Sequence, residues 1–157
     1  MPQEKSQILL VDDDKGITGS LSAILESEGY RTEVAHSVKE AMEKSYENDY
    51  NLAILDINLP DGEGTSLLKA LRVTSPKTMK IMLTGYPMLE NSINSLNDGA
   101  VAYLIKPVDV EKLLETIKIK IKEQTAAEIV TEDSIAFFLQ NRTKKLLKEK
   151  NNARKRL

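Results

Sequence analysis

The chain has 157 residues, 41% hydrophobic and 29% charged, which allows one domain with its own core plus a short appendage. It contains no cysteine, which excludes disulfides and thiolate metal sites, and no apolar stretch approaches the roughly 20 residues needed to span a bilayer. The net charge of −2 is unevenly placed: residues 141–157 hold eight Lys or Arg against one acid, leaving the remainder near −9. The start, Met1-Pro2-Gln3-Glu4-Lys5, lacks the basic-then-apolar run of a signal peptide, so a cytoplasmic protein is expected.

Strand-like and helix-like segments alternate from Gln7 to about Lys122. The apolar run Ile8-Leu9-Leu10-Val11 predicts a first strand that stops at Asp12-Asp13. Ile17, Leu21, Ile24 and Leu25 then follow at helical spacing, with Asp14 read as a cap or a solvated charge and Gly29 as the stop. Thr32 to Ala35 is a weaker second strand. His36, the only histidine, is expected in a surface loop, and Ser37-Val38-Lys39-Glu40 has the form of a capping box opening a second helix. Leu52-Ala53-Ile54-Leu55 predicts a third strand ending at Asp56, followed by a loop dense in turn residues, 58–64.

Leu67, Leu68 and Leu71 begin a third helix that Ser75-Pro76 breaks. Lys80-Ile81-Met82-Leu83 predicts a strand ending at Thr84, and Leu89, Ile93, Leu96 and Ala100 a fourth helix with Gly99 as its cap. Met79, Met82 and Met88 read as core or surface filler. Ala102-Tyr103-Leu104-Ile105 predicts a last strand ending at Lys106-Pro107. Asp109 then caps a fifth helix carrying Val110, Leu113, Leu114, Ile117 and Ile121 on one face.

Five strand–helix units imply right-handed crossovers and helices on both faces of a doubly wound, five-stranded parallel sheet. The continuous apolar runs are what burial on two sides requires. Thr125-Ala126-Ala127-Glu128 reads as a second capping box, so one or two further helices are expected over 125–150. The expected division is a domain at 1–122 and a helical, basic extension at 123–157.

In a parallel sheet the carboxyl ends of the strands share one edge, where open α/β folds bind ligands. That edge gathers Asp12, Asp13, Asp56, Thr84 and Lys106. Clustered carboxylates repel each other, and an oxygen-rich, strongly negative site suits Mg²⁺ or Mn²⁺. Lys106 offers a point charge for a phosphoryl oxygen and Thr84 a hydrogen-bond donor. Asp56 stands alone at the end of the most apolar strand, which marks it as the candidate nucleophile for an aspartyl phosphate.

This pattern resembles the receiver domain of two-component response regulators, over about residues 6–122. The resemblance implies a flavodoxin-like (βα)5 fold with strand order 2-1-3-4-5. It makes Asp56 the phosphoacceptor, Asp12 and Asp13 the acidic pair, Thr84 the switch hydroxyl and Tyr103 the switch aromatic. It also implies that Asp13, Asp56 and the backbone carbonyl of Asn58 ligate the cation directly, with Asp12 acting mainly through water, and that the Lys106–Pro107 bond is cis.

The donor would be a phosphohistidine on a sensor histidine kinase or a phosphotransfer protein. The chain itself would be a phosphoacceptor switch rather than an enzyme, promoting its own phosphoryl transfer and dephosphorylation. Tyr86, two residues past Thr84, flanks the path of an attacking water. Its ring is expected to slow hydrolysis, and Tyr86→Ala then to shorten the phosphoryl lifetime.

A haloacid dehalogenase-like phosphatase also uses an aspartate nucleophile, but usually has a second acid two residues on, where this chain has Asn58. The favoured output is a phosphorylation-dependent contact with a downstream protein or a relay step. A dimeric regulator contacting DNA through 141–157 is the runner-up. For the tail itself, the first reading is a helix that packs on the body and ends in a solvated basic stretch, with nucleic-acid binding second and dimerisation through Ile135, Phe137, Phe138, Leu139 and Leu146 third. No membrane partner is expected.

Overall fold

The computed structural model describes residues 4–85 and 99–155. In chain order the elements are β1 (Gln7–Val11), α1 (Lys15–Ser27), β2 (Arg31–Ala35), α2 (Val38–Glu47), β3 (Leu52–Asp56), β4 (Asn58–Leu59), β5 (Gly62–Glu63), α3 (Gly64–Thr74), β6 (Met79–Thr84), β7 (Ala100–Ile105) and α4 (Val110–Lys155). Chain contacts divide the protein into two compact units, Met1–Ile121 and Lys122–Leu157.

The first unit is built on a five-stranded sheet in the order β2-β1-β3-β6-β7, every neighbouring pair parallel. With the short antiparallel β4–β5 hairpin set aside, this is the expected order 2-1-3-4-5. Side chains alternate across the sheet and build two cores. Leu9, Val11, Ala53, Leu55 and Met82 pack with Leu67, Leu68 and Leu71 of α3 and Ala41 of α2. Ile8, Leu10, Ile54 and Ile81 pack on the opposite face with Leu21 and Leu25 of α1 and Leu113 and Ile117 of α4. Every residue of β3 is buried, as a central strand covered on both faces must be. Each such aliphatic side chain contributes about 1.5–3 kcal/mol through its removal from water.

Local signals explain most of the boundaries. The Asp14 side chain caps α1, its Oδ1 accepting from the N–H groups of Gly16 (2.9 Å) and Ile17 (3.1 Å). Gly29 follows α1 at φ 96°, a conformation glycine adopts without strain. Ser37 caps α2, accepting from the Glu40 N–H at 3.1 Å. A second cap arrives from the hairpin: the Asp61 carboxylate accepts from the Val38 and Lys39 N–H groups, which hold it below the ordinary carboxylate range.

Two expectations need correction. Ala100 is not helical; it opens β7, two residues before the expected start, pairing with Lys80 ahead of an irregularity in the ladder. The Thr125–Glu128 box does not begin a new helix, because α4 runs unbroken through it. No Gly or Pro separates Ile121 from Thr125, so nothing stops the preceding helix and Thr125 is carried as an interior residue. Tyr86, Met88, Leu89, Ile93 and Leu96 lie outside the described residues.

Candidate phosphoacceptor and metal site

Strand register assembles the site. Val11 pairs with Leu55, so Asp12 emerges level with Asp56; Asp56 pairs with Leu83, one step before Thr84; and Thr84 pairs with Ile105, one step before Lys106. The Lys106 N–H donates to the Thr84 carbonyl at 2.6 Å, which ties the last two ends together. Four chemically active side chains from four strands thus meet along one edge of the sheet. The Lys106–Pro107 peptide bond that follows is cis.

Asp12 and Asp56 are buried and Asp13 is exposed. Carboxylate oxygens of the three lie within 4.8 Å of one another. The Lys106 ammonium donates to Asp12 Oδ2 at 2.7 Å and lies 3.4 Å from Asp56 Oδ2. Backbone donors supply the rest: the Asp14 N–H to Asp12 Oδ1 at 3.0 Å, and the Asn58 N–H to Asp56 Oδ1 at a long 3.4 Å.

Burial and then the charge of Asp12 push the Asp56 carboxyl above its ordinary range, and Lys106 pulls it back only in part. Burial opposes the Lys106 ammonium, but its hydrogen bond to Asp12 and the charges of Asp12 and Asp56 outweigh burial and raise its pKa. One ammonium serving three carboxylates leaves a surplus of negative charge on oxygen-only donors. That is the donor set and charge of a hard divalent cation site.

The surplus charge has a consequence for stability. Asp56 has a raised folded-state pKa, so its contribution to stability is fully present below its unfolded value of about 4 and is lost as pH rises through the folded value. In chelator at neutral pH, Asp56→Asn is therefore expected to stabilise the chain by relieving one crowded, buried charge. The advantage should disappear as pH approaches 4, measured by denaturant unfolding across that range.

Thr84 is fully buried at the end of β6. Tyr103 packs against the core that contains Met82, and its hydroxyl is the buried side-chain atom without a hydrogen-bond partner among the described residues. Burial raises the Tyr103 pKa, with the neighbouring Thr84 side chain acting in the opposite direction. Asn58 is exposed at the start of the hairpin. Tyr86 lies outside the described residues.

Sequence reasoning missed two contacts beside the site and one buried lysine at the far end of β6. His36 lies in the loop between β2 and α2 but is half-buried there, its Nδ1 2.9 Å from the Asp12 carbonyl oxygen. Lys80 is buried, its ammonium donating to the Ser75 carbonyl at 2.8 Å, and burial lowers its pKa. Gly64 abuts the backbone of Asp56, and its N–H donates to the Ile57 carbonyl at 2.6 Å. Only the Gly-rich composition of 58–64 hinted at the last of these.

Comparison with known proteins gives a consistent picture. The model of the response regulator receiver domain family matches residues 8–118. A receiver domain protein from Methanospirillum hungatei superposes with a TM-score of 0.77 at 48% identity, over 79% of this chain and 99% of that one. A Burkholderia pseudomallei response regulator, solved with a phosphorylated aspartic acid and a calcium ion, gives a TM-score of 0.70 at 30% identity, over 79% of this chain and 73% of that one. An uncharacterised transcriptional regulatory protein from Bacillus subtilis, YkoG, is 34% identical over 76% of this chain and 53% of its own length. The chain spans from about a third to a little over half the length of the first curated relatives it matches. With this match and the strand-end constellation together, the chain belongs to the receiver domain family of two-component response regulators.

Proposed function

We propose that Asp56 accepts a phosphoryl group from a phosphohistidine on a sensor kinase or phosphotransfer protein, and that the change at Asp56 alters a surface read by a downstream protein. The observation that carries this reading is the convergence of Asp12, Asp56 and Lys106 within ion-pair distance at one sheet edge. In the transfer, an Asp56 oxygen forms a bond to phosphorus as the donor's N–P bond breaks, and the bonding pair stays on the imidazole nitrogen. Asp13, Asp56 and the Asn58 carbonyl would hold Mg²⁺ or Mn²⁺, with Asp12 acting through water; the cation supplies charge neutralisation at the phosphoryl oxygens.

The remaining work falls to this chain's own side chains. Lys106 exchanges part of its pairing with Asp56 for a phosphoryl oxygen. Thr84 donates its hydroxyl to another, and its shift vacates space that the Tyr103 ring can rotate into. Tyr86 would flank the incoming water and slow hydrolysis. The chain acts as a phosphoacceptor switch with its own transfer and dephosphorylation chemistry, in the cytoplasm, with residues 1–122 as the switch domain and 123–157 as an extension. No helix among the described residues is long and apolar enough to cross a membrane.

The test uses a small phosphodonor such as acetyl phosphate with Mg²⁺. The wild-type chain should be labelled, chelator should abolish labelling, and Asp56→Asn should reduce it to background. Equal labelling of Asp56→Asn would overturn the assignment.

A further inference from the structure

The extension divides into three blocks of different chemistry. Residues 123–133 hold four acids and no Lys or Arg, 134–141 hold no charge at all, and 142–156 hold eight bases and one acid. All of the described residues in these blocks belong to one continuous helix, α4. From 125 to 155 every residue is exposed, including Phe137 (67%), Phe138 (61%) and Leu139 (57%) in the uncharged block. Helices in proteins draw most of their stability from packing an apolar face, not from propensity. Exposed aromatic and aliphatic side chains grouped on a helix mark an interaction surface.

The order of the blocks says what covers it. We infer that this segment pairs with the same segment of a second copy, antiparallel and centred near Phe138. In that arrangement, positions equally far before and after Phe138 come level. Glu132 then comes level with Lys144, Glu128 with Lys148, and Glu123 to within one position of Arg154, so acidic and basic stretches lie side by side. The same register brings Val130 level with Leu146, both exposed aliphatics in the single chain.

An antiparallel pair is self-complementary under a two-fold axis: each patch on one copy meets its counterpart on the other. The parallel arrangement would lay acids on acids and bases on bases, where like charges along facing helices destabilise. The basic block thereby has an acidic partner on the second copy, without recourse to nucleic acid. The pairing uses no residue of the Asp56 site, so it stands or falls independently of phosphorylation.

The experiment measures the mass of the full chain in solution by light scattering, at low salt and over a concentration series. Twice the 17.6 kDa chain mass is expected, for Asp56→Asn as for wild type. Reversing the acids (Glu128→Lys, Glu132→Lys, Asp133→Lys) should weaken association at least tenfold, as should reversing the bases (Lys144→Glu, Lys145→Glu, Lys148→Glu). A chain carrying all six changes should dimerise again, because the complementarity is restored with its ends exchanged.

The chain has no cysteine, so engineered ones report orientation. Glu128→Cys chains should cross-link to Lys148→Cys chains and not to themselves, since the same residue on the two copies would be about 30 Å apart along the axis. A monomer at all concentrations, no rescue in the six-fold variant, self-cross-linking of Glu128→Cys, or a monomer retained on DNA through 141–157 would each overturn the inference.

Discussion

Gly64→Ala is expected to cost the chain on the order of 3 kcal/mol, a fall of about 10 °C in the unfolding midpoint. A Cβ at this position would lie 1.9 Å from the Asp56 carbonyl oxygen and 2.8 Å from its carbonyl carbon. Both are backbone atoms at the end of the central strand, so no side chain can rotate away to make room. The first turn of α3 would have to lift from β3, breaking the 2.6 Å bond from Gly64 to Ile57 and displacing the residue that carries the candidate phosphoacceptor. Phosphoryl acceptance should therefore fall together with stability. Gly62→Ala in the hairpin just before α3 is the control, because its Cβ would meet only a Val38 methyl at 3.4 Å. A Gly64→Ala midpoint no lower than that of Gly62→Ala would contradict the packing account.

Lys106→Ala is expected to slow phosphoryl acceptance on the order of 100-fold, the usual cost of deleting one preorganised charge partner of a transition state. It has a second signature that separates charge loss from general damage. Lys106 is the ammonium that neutralises Asp12 at 2.7 Å and Asp56 at 3.4 Å, and its side chain remains a fifth exposed. Removing it leaves two buried carboxylates facing each other, so the chelated protein should lose stability on the order of 1–2 kcal/mol, less than for a fully buried pair. A divalent cation would then be the remaining counter-charge. Mg²⁺ should accordingly raise the unfolding midpoint of Lys106→Ala by more than it raises that of wild type. An equal or smaller shift would mean that the lysine and the cation do not share the same carboxylates.

The fold and the strand-end residues were legible because two physical signals coincide. Runs such as Ile8–Val11 and Leu52–Leu55 are apolar at every position, which only a strand covered on both faces tolerates, and each gives way abruptly to a polar side chain. Once the strands are parallel, their carboxyl ends share an edge whatever the details of the helices. Local signals failed where tertiary context decided. Ala100 fits helix or strand alone, and pairing with Lys80 makes it strand. Thr125–Glu128 has the composition of a helix start, yet an uninterrupted helix arrives from upstream.

Other features depend on a neighbour distant in sequence. Asp61 caps a helix more than twenty residues before it, and His36 reaches the carbonyl of Asp12 across a strand pair. Gly64 reads as one more turn residue until β3 is placed beside it. Lys80 shows that an alternating polar residue need not be exposed, since its long chain brings the ammonium to a loop carbonyl.

Site mapping of the acyl phosphate tests the central claim most directly. The wild-type chain would be treated with acetyl phosphate and Mg²⁺, trapped by borohydride reduction of the mixed anhydride, digested, and read by mass spectrometry. The reduced residue should be found at position 56 and nowhere else. Recovery at Asp12 or Asp13, or no reduced residue in a chain that has folded and bound the cation, would contradict the account.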